Sequence, residues 1–121
     1  QNLDQNQNSN QNKSEVVTFV SLYSVNGVFH KSVCLNHRIK ECCGTCYPYA
    51  TKKNYFALLS EDDCIILLNG RNLRVVQVYD ISSCPQTESM IYNKMNDSLI
   101  LTTKTREIID FNMIPASLIN D

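Results

Sequence analysis

Between Asn54 and Met113 the chain repeats itself. Asp63-Cys64-Ile65-Ile66-Leu67 is matched 34 residues later by Asp97-Ser98-Leu99-Ile100-Leu101, and Arg74-Val75-Val76-Gln77-Val78-Tyr79 is matched 32 residues later by Arg106-Glu107-Ile108-Ile109-Asp110-Phe111. The two offsets differ in a turn, where a change of length costs least. A fainter third echo sets Leu22-Tyr23-Ser24-Val25 over Val78-Tyr79-Asp80-Ile81. The repeated pattern predicts strands over 54–59, 64–68, 73–81, 88–92, 98–103 and 106–113. They are separated by the polar turns SEDD, NGRN, CPQT and NKMND and by a short turn before Arg106.

The runs at 64–68 and 99–101 do not alternate between apolar and polar residues, so both faces of those strands are apolar. A small sheet of that kind buries both faces only by stacking on neighbours. We therefore expect an all-β fold of antiparallel hairpin and meander repeats resembling two to three β-propeller blades. A β-sandwich or β-roll containing two similar hairpins is the alternative.

Upstream, Val16 to Tyr23 is rich in β-branched and aromatic residues and leads into Asn26-Gly27, a hairpin signal because both residues accept positive φ; a return strand over 28–34 follows. Residues 35–53, dense in Cys and basic residues with Pro48 inside, predict an irregular loop holding at most one short strand. The opening QNLDQNQNSNQN offers too little apolar surface to offset the entropy of ordering. The chain thus divides into a disordered Gln/Asn-rich N-terminal tail or linker over 1–14, a β-repeat region over 15–114 and a C-terminal tail over 115–121. Because it starts with Gln, it is expected to be a processed product or a piece of something longer.

Eleven Lys and Arg against twelve Asp and Glu leave a net charge of −1, which argues against a nucleic-acid partner. No apolar run approaches the roughly 18 residues of a membrane helix. Three Gly in all could hardly build a phosphate-binding loop.

Six cysteines are the unusual count. Cys34-x2-His37 and Cys43-x2-Cys46 pair ligand types at a spacing that lets neighbouring side chains close on one tetrahedral ion, with Gly44 supplying backbone freedom. Cys34, His37, Cys43 and Cys46 are thus the candidate metal ligands, and zinc the cofactor they could take; otherwise no cofactor is expected. Only five residues separate the pairs, fewer than ordinary fingers and ribbons use. The same region also reads as a C-x-G-x-C element of a secreted, disulfide-bonded protein, although Cys64 and Cys84 stand alone where such a framework needs a second close pair. Catalysis has little support, because the only histidines are His30 and His37 and neither has an obvious nucleophile to activate beyond a nearby Cys. Glu61-Asp62-Asp63 lacks the alternating ligands of a calcium loop and reads as an acidic turn. Lys31, His37, Arg38, Lys40, Lys52 and Lys53, with Tyr47 and Tyr49 among them, form a basic stretch that could meet a phosphate or an anionic membrane surface but reads better as a solvated loop.

Val78-Tyr79-Asp80-Ile81 resembles the end of a WD40 blade strand with Tyr in place of Trp, and Val20 to Gly27 resembles a strand that closes on an Asn-Gly turn before a new blade. With the succession from Asn54 to Met113, the chain is similar over about residues 16 to 113 to the carboxy-terminal WD40 region of BEACH-domain proteins. Departures are plain: no Gly-His opens a repeat, no Trp-Asp closes one, and the cysteine-rich stretch is foreign to a regular blade. The resemblance implies a non-catalytic protein-interaction module within a membrane-trafficking scaffold, cytoplasmic or peripheral to membranes, with proteins and the remaining blades of a parent chain as partners. The secreted ligand or binder and the zinc-stabilised β module remain the alternatives.

Overall fold

The computed structural model describes residues 18–46, 54–84 and 86–112, with the backbone alone over 44–46. The expected tails over 1–14 and 115–121 lie outside the described residues. The described chain is all-β: nine strands form three antiparallel sheets and no helix. Strands β1 (Thr18–Tyr23) and β2 (Phe29–Leu35) form a hairpin. Strands β3 (Ile39–Cys46), β4 (Tyr55–Ser60), β5 (Cys64–Asn69) and β6 (Val75–Asp80) form a four-stranded meander. Strands β7 (Thr87–Asn93), β8 (Ser98–Thr103) and β9 (Ile108–Asn112) form the third sheet.

The four-stranded sheet is the middle layer. Tyr55, Ala57 and Leu59 of β4 and Ile65 and Leu67 of β5 pack with Met90, Leu99 and Leu101 of the third sheet. Their neighbours in sequence, Leu58, Ile66 and Leu68, pack on the other side with Leu35 and the half-buried Val20, Leu22 and Val33 of the first hairpin. Successive side chains of a strand point to opposite faces, so a layer covered on both sides needs apolar residues at every position. That accounts for the unbroken runs, and the stacked, blade-like sheets do not close into a propeller.

The stretch expected to be an irregular loop contains an eight-residue strand, β3. Its composition hid it, because cysteines stand where branched aliphatics would mark a strand, and Cys43 behaves here as a small buried apolar residue. The strand also changes face. A register shift between Ile39 and Glu41 turns its alternation over, so Ile39 packs toward the first hairpin while Cys43 is buried toward the third sheet.

Turn chemistry sets the remaining boundaries. Gly27 alone, not Asn26, takes a positive φ of 86°, and the Gly27 amide donates to the Ser24 carbonyl at 2.9 Å. This is a longer loop than a two-residue Asn-Gly turn. Asp63 and Asp97, equivalent in the repeat, both adopt left-handed backbone (φ 61° and 52°) just before their strands begin. Leu73 and Arg106, expected as first strand residues, are left-handed too (φ 61° and 68°), so β6 and β9 start two residues later. Gly70 is required by proximity: a Cβ there would stand 2.8 Å from the Asn54 carbonyl oxygen, which accepts the Gly70 amide.

Candidate functional site

Two regions stand out, and the stacking of the sheets creates both. The first consists of the outer faces of the end sheets. On the first hairpin, Phe19, Ser21 and Tyr23 alternate with the buried-side Val20 and Leu22, and are opposed by Cys34, Ser32 and Phe29. Tyr23 and Phe29 meet edge to face at 5.6 Å, and the Ser21 and Ser32 hydroxyls are 3.1 Å apart. Phe19 is 70% exposed. On the third sheet, Ile91 lies opposite Ile100, and Ile108 opposite Thr102. Ile91 and Ile108 are 60% and 76% exposed. Polar pairs flank these isoleucines: the Ser89 and Thr102 hydroxyls lie 2.6 Å apart, and the Ser98 hydroxyl donates to the Asp110 carboxylate at 2.5 Å.

The second region lies where the β2–β3 turn meets the β4–β5 turn. The His37 imidazole Nδ1 is 3.2 Å from both carboxylate oxygens of Asp62. Backbone and side-chain clamps hold the two turns together: the Glu61 amide donates to the Arg38 carbonyl at 2.8 Å, the Thr18 hydroxyl to the His37 carbonyl at 2.6 Å, and Arg38 pairs with Glu61 at 3.5 Å. The Ser60 hydroxyl receives the Cys64 amide at 3.0 Å, which fixes the first residue of β5. A neighbouring Ser60 hydroxyl, opposed by partial desolvation and aided by His37, holds the Asp62 carboxyl below its ordinary value. Desolvation, then the charges of Asp62 and Asp80, push the Cys64 thiol up.

Of the four residues proposed from sequence as metal ligands, three have described side chains, and these three do not converge on one point. Cys34 sits on the outer face of the first hairpin opposite Phe19. Cys43 is buried among Tyr55, Ala57 and Met90 on the far side of the middle sheet. His37 lies in the turn, and the Cys46 side chain is outside what is described. The structure instead brings His37 together with Asp62 and Cys64, their potential ligand atoms all within 4.8 Å of one another. The sequence presents Asp62 as part of an acidic turn and Cys64 as a cysteine that stands alone. Recognising β3 would have found the grouping, because its antiparallel pairing with β4 sets Ile39 against Ser60 and so places the two turns side by side. Cys34, Cys42, Cys64 and Cys84 are free thiols. Of the basic stretch, Arg38 is engaged with Glu61, whereas Tyr47, Tyr49, Lys52 and Lys53 lie outside the described residues.

Among the described residues no helix is long and apolar enough to cross a membrane. Comparison with protein-family models, with curated proteins and with solved structures finds no match.

Proposed function

We propose that this chain is a non-catalytic protein-interaction module of WD40 β-propeller type, a set of blades that docks proteins for a BEACH-like membrane-trafficking scaffold at the cytoplasmic side of membranes. One observation carries the reading: the middle sheet is buried on both faces by its neighbours, while the end sheets present Phe19, Tyr23 and Phe29 on one side and Ile91 and Ile108 on the other to solvent. Exposed apolar groups gathered on sheet faces mark surfaces that another layer covers. Propellers use four or more blades, so further blades of the same architecture are the occupants that fit these faces. The trafficking role rests on the resemblance of residues 16 to 113 to the WD40 region of BEACH-domain proteins.

Cross-linking and affinity capture from cells tests it. Recovery of trafficking proteins or of propeller segments, lost on Phe19→Glu with Ile108→Glu while strand content is kept, is the expected result. Capture indifferent to both substitutions would overturn the reading.

A further inference from the structure

We propose that His37, Asp62 and Cys64 form a binding site for a zinc-like divalent ion that ties the β2–β3 turn to the β4–β5 turn. This inference is independent of the propeller reading.

The donor set is the first argument. Imidazole nitrogen, carboxylate oxygen and thiolate sulfur are the three ligand types zinc takes, whereas calcium and magnesium sites are built from oxygen. Geometry is the second. Two ligand atoms each about 2.0 Å from a tetrahedral ion lie about 3.3 Å apart, and His37 Nδ1 stands 3.2 Å from either Asp62 oxygen. The Cys64 sulfur lies within 4.8 Å of the other two donors and is anchored beside the Asp62 carbonyl at 3.8 Å.

Preorganisation is the third argument. The ligands arrive from two separate turns, and each turn is already fixed by contacts that use no ligand atom. Glu61 is bound through its amide to Arg38, His37 is held through its carbonyl by Thr18, and Cys64 is held through its amide by Ser60. The Asp63 carbonyl between two of the ligands accepts the Ile81 amide at 2.9 Å, tying the same turn to the end of β6. An ion therefore meets donors whose backbones need no reordering, and the cost of assembling the site is small.

Binding takes the Cys64 sulfur as thiolate and the His37 imidazole as the neutral base, so the thiol proton, and any imidazole proton, passes to solvent. Three protein ligands leave one tetrahedral position for water or an external donor. By its position the ion bridges the turn that leaves the first hairpin to the middle sheet, beside the apolar packing and the Thr18 contact already there.

The test titrates the reduced, chelator-treated chain with Co²⁺ and follows the thiolate-to-cobalt charge-transfer and visible bands, then displaces the cobalt with Zn²⁺. We expect one equivalent to bind, no charge-transfer band in Cys64→Ser, and binding at least tenfold weaker in His37→Gln and in Asp62→Asn. Cys34→Ser and Cys84→Ser should behave as the parent. His37 is in an exposed turn, so His37→Gln keeps the test valid if Cys64→Ser fails to fold. Protection of Cys64 from alkylation by added Zn²⁺, read by peptide mass, gives a separate readout. A charge-transfer band that survives Cys64→Ser, one lost in Cys34→Ser, or no binding at millimolar Co²⁺ would each overturn the assignment.

Discussion

Tyr79 and Phe111 occupy equivalent positions in the two halves of the sequence repeat, and they touch each other edge to face, ring centroids 5.1 Å apart and planes at 82°. The same holds for the strands beside them, since Ile65 and Leu67 share a core cluster with their equivalents Leu99 and Leu101. Equivalent surfaces meeting one another is the logic of an isologous interface. The repeat is thus a packing device that places matching apolar faces of two hairpins against each other.

Removing either ring should therefore loosen the packing between the middle and third sheets. Both side chains are half-buried, so Tyr79→Ala or Phe111→Ala is expected to cost about 2–3 kcal/mol, somewhat less than full core truncation. The double variant should show a coupling of roughly 1 kcal/mol, the contribution of an aromatic pair beyond its buried area. Urea denaturation of the four proteins of the cycle measures both quantities, and strict additivity would contradict the contact.

The two glycines described here should respond to alanine for different reasons. Gly70→Ala forces a methyl group against the Asn54 backbone oxygen at 2.8 Å, and since backbone cannot swing away the expected loss is about 1–3 kcal/mol. Gly27→Ala meets nothing within 4 Å but inherits a φ of 86°, for a loss of roughly 1–2 kcal/mol. An added Asn54 substitution cannot relieve the Gly70 clash, because the offending atom belongs to the main chain. Thermal melts of each variant give the comparison.

Stability should fall in acid partly through Asp62. Its carboxyl is held below the ordinary value of 3.8 by the Ser60 hydroxyl and His37, so the folded state favours the charged form. The contribution is fully present above that ordinary value and disappears as pH drops through the lowered folded-state value. Asp62→Asn is expected to flatten part of the decline below pH 3.8 and to change the slope little at higher pH. The effect is small, because the carboxylate is largely exposed and screened. Denaturation midpoints at a series of acid pH values check it.

Thiol chemistry should follow burial. Cys34 on the open face of the first hairpin should alkylate fastest in metal-free buffer. Desolvation, with the neighbouring Cys43 and Glu41, pushes the Cys42 thiol up, and Cys64 is likewise raised, so both should lag at neutral pH. Cys43, buried between the middle and third sheets, should react only on unfolding. Peptide mapping after timed iodoacetamide treatment gives the order.

How far the sequence could be read follows from where the information resides. The stacking was legible in Cys64–Leu68 and Leu99–Leu101, because a strand apolar at every position has no solvent face to offer. The hairpin boundaries were nearly so, mostly within a residue; the two-residue misses fall at the left-handed Leu73 and Arg106, whose backbone state is set by the turns around them rather than by their own preference. The full length of strand β3 was not legible, since Cys42, Cys43 and Thr45 carry no aliphatic alternation and a register shift just after Ile39 inverts its faces. Missing β3 hid the grouping of His37 with Asp62 and Cys64, since ligands 25 and 27 residues apart are joined by register alone. The short Cys-x2-His and Cys-x2-Cys spacings drew attention to Cys34 and Cys43, which lie on opposite sides of the middle sheet.

The most direct test of the central claim is sedimentation velocity of the reduced 121-residue chain over a wide concentration range. If the outer faces carrying Phe19, Ile91 and Ile108 are docking surfaces for further sheets, the chain should associate as concentration rises and melt broadly, and Phe19→Glu with Ile108→Glu should leave a monomer of unchanged strand content. A parent chain that stays monomeric at several hundred micromolar and unfolds in one sharp cooperative transition would contradict the account.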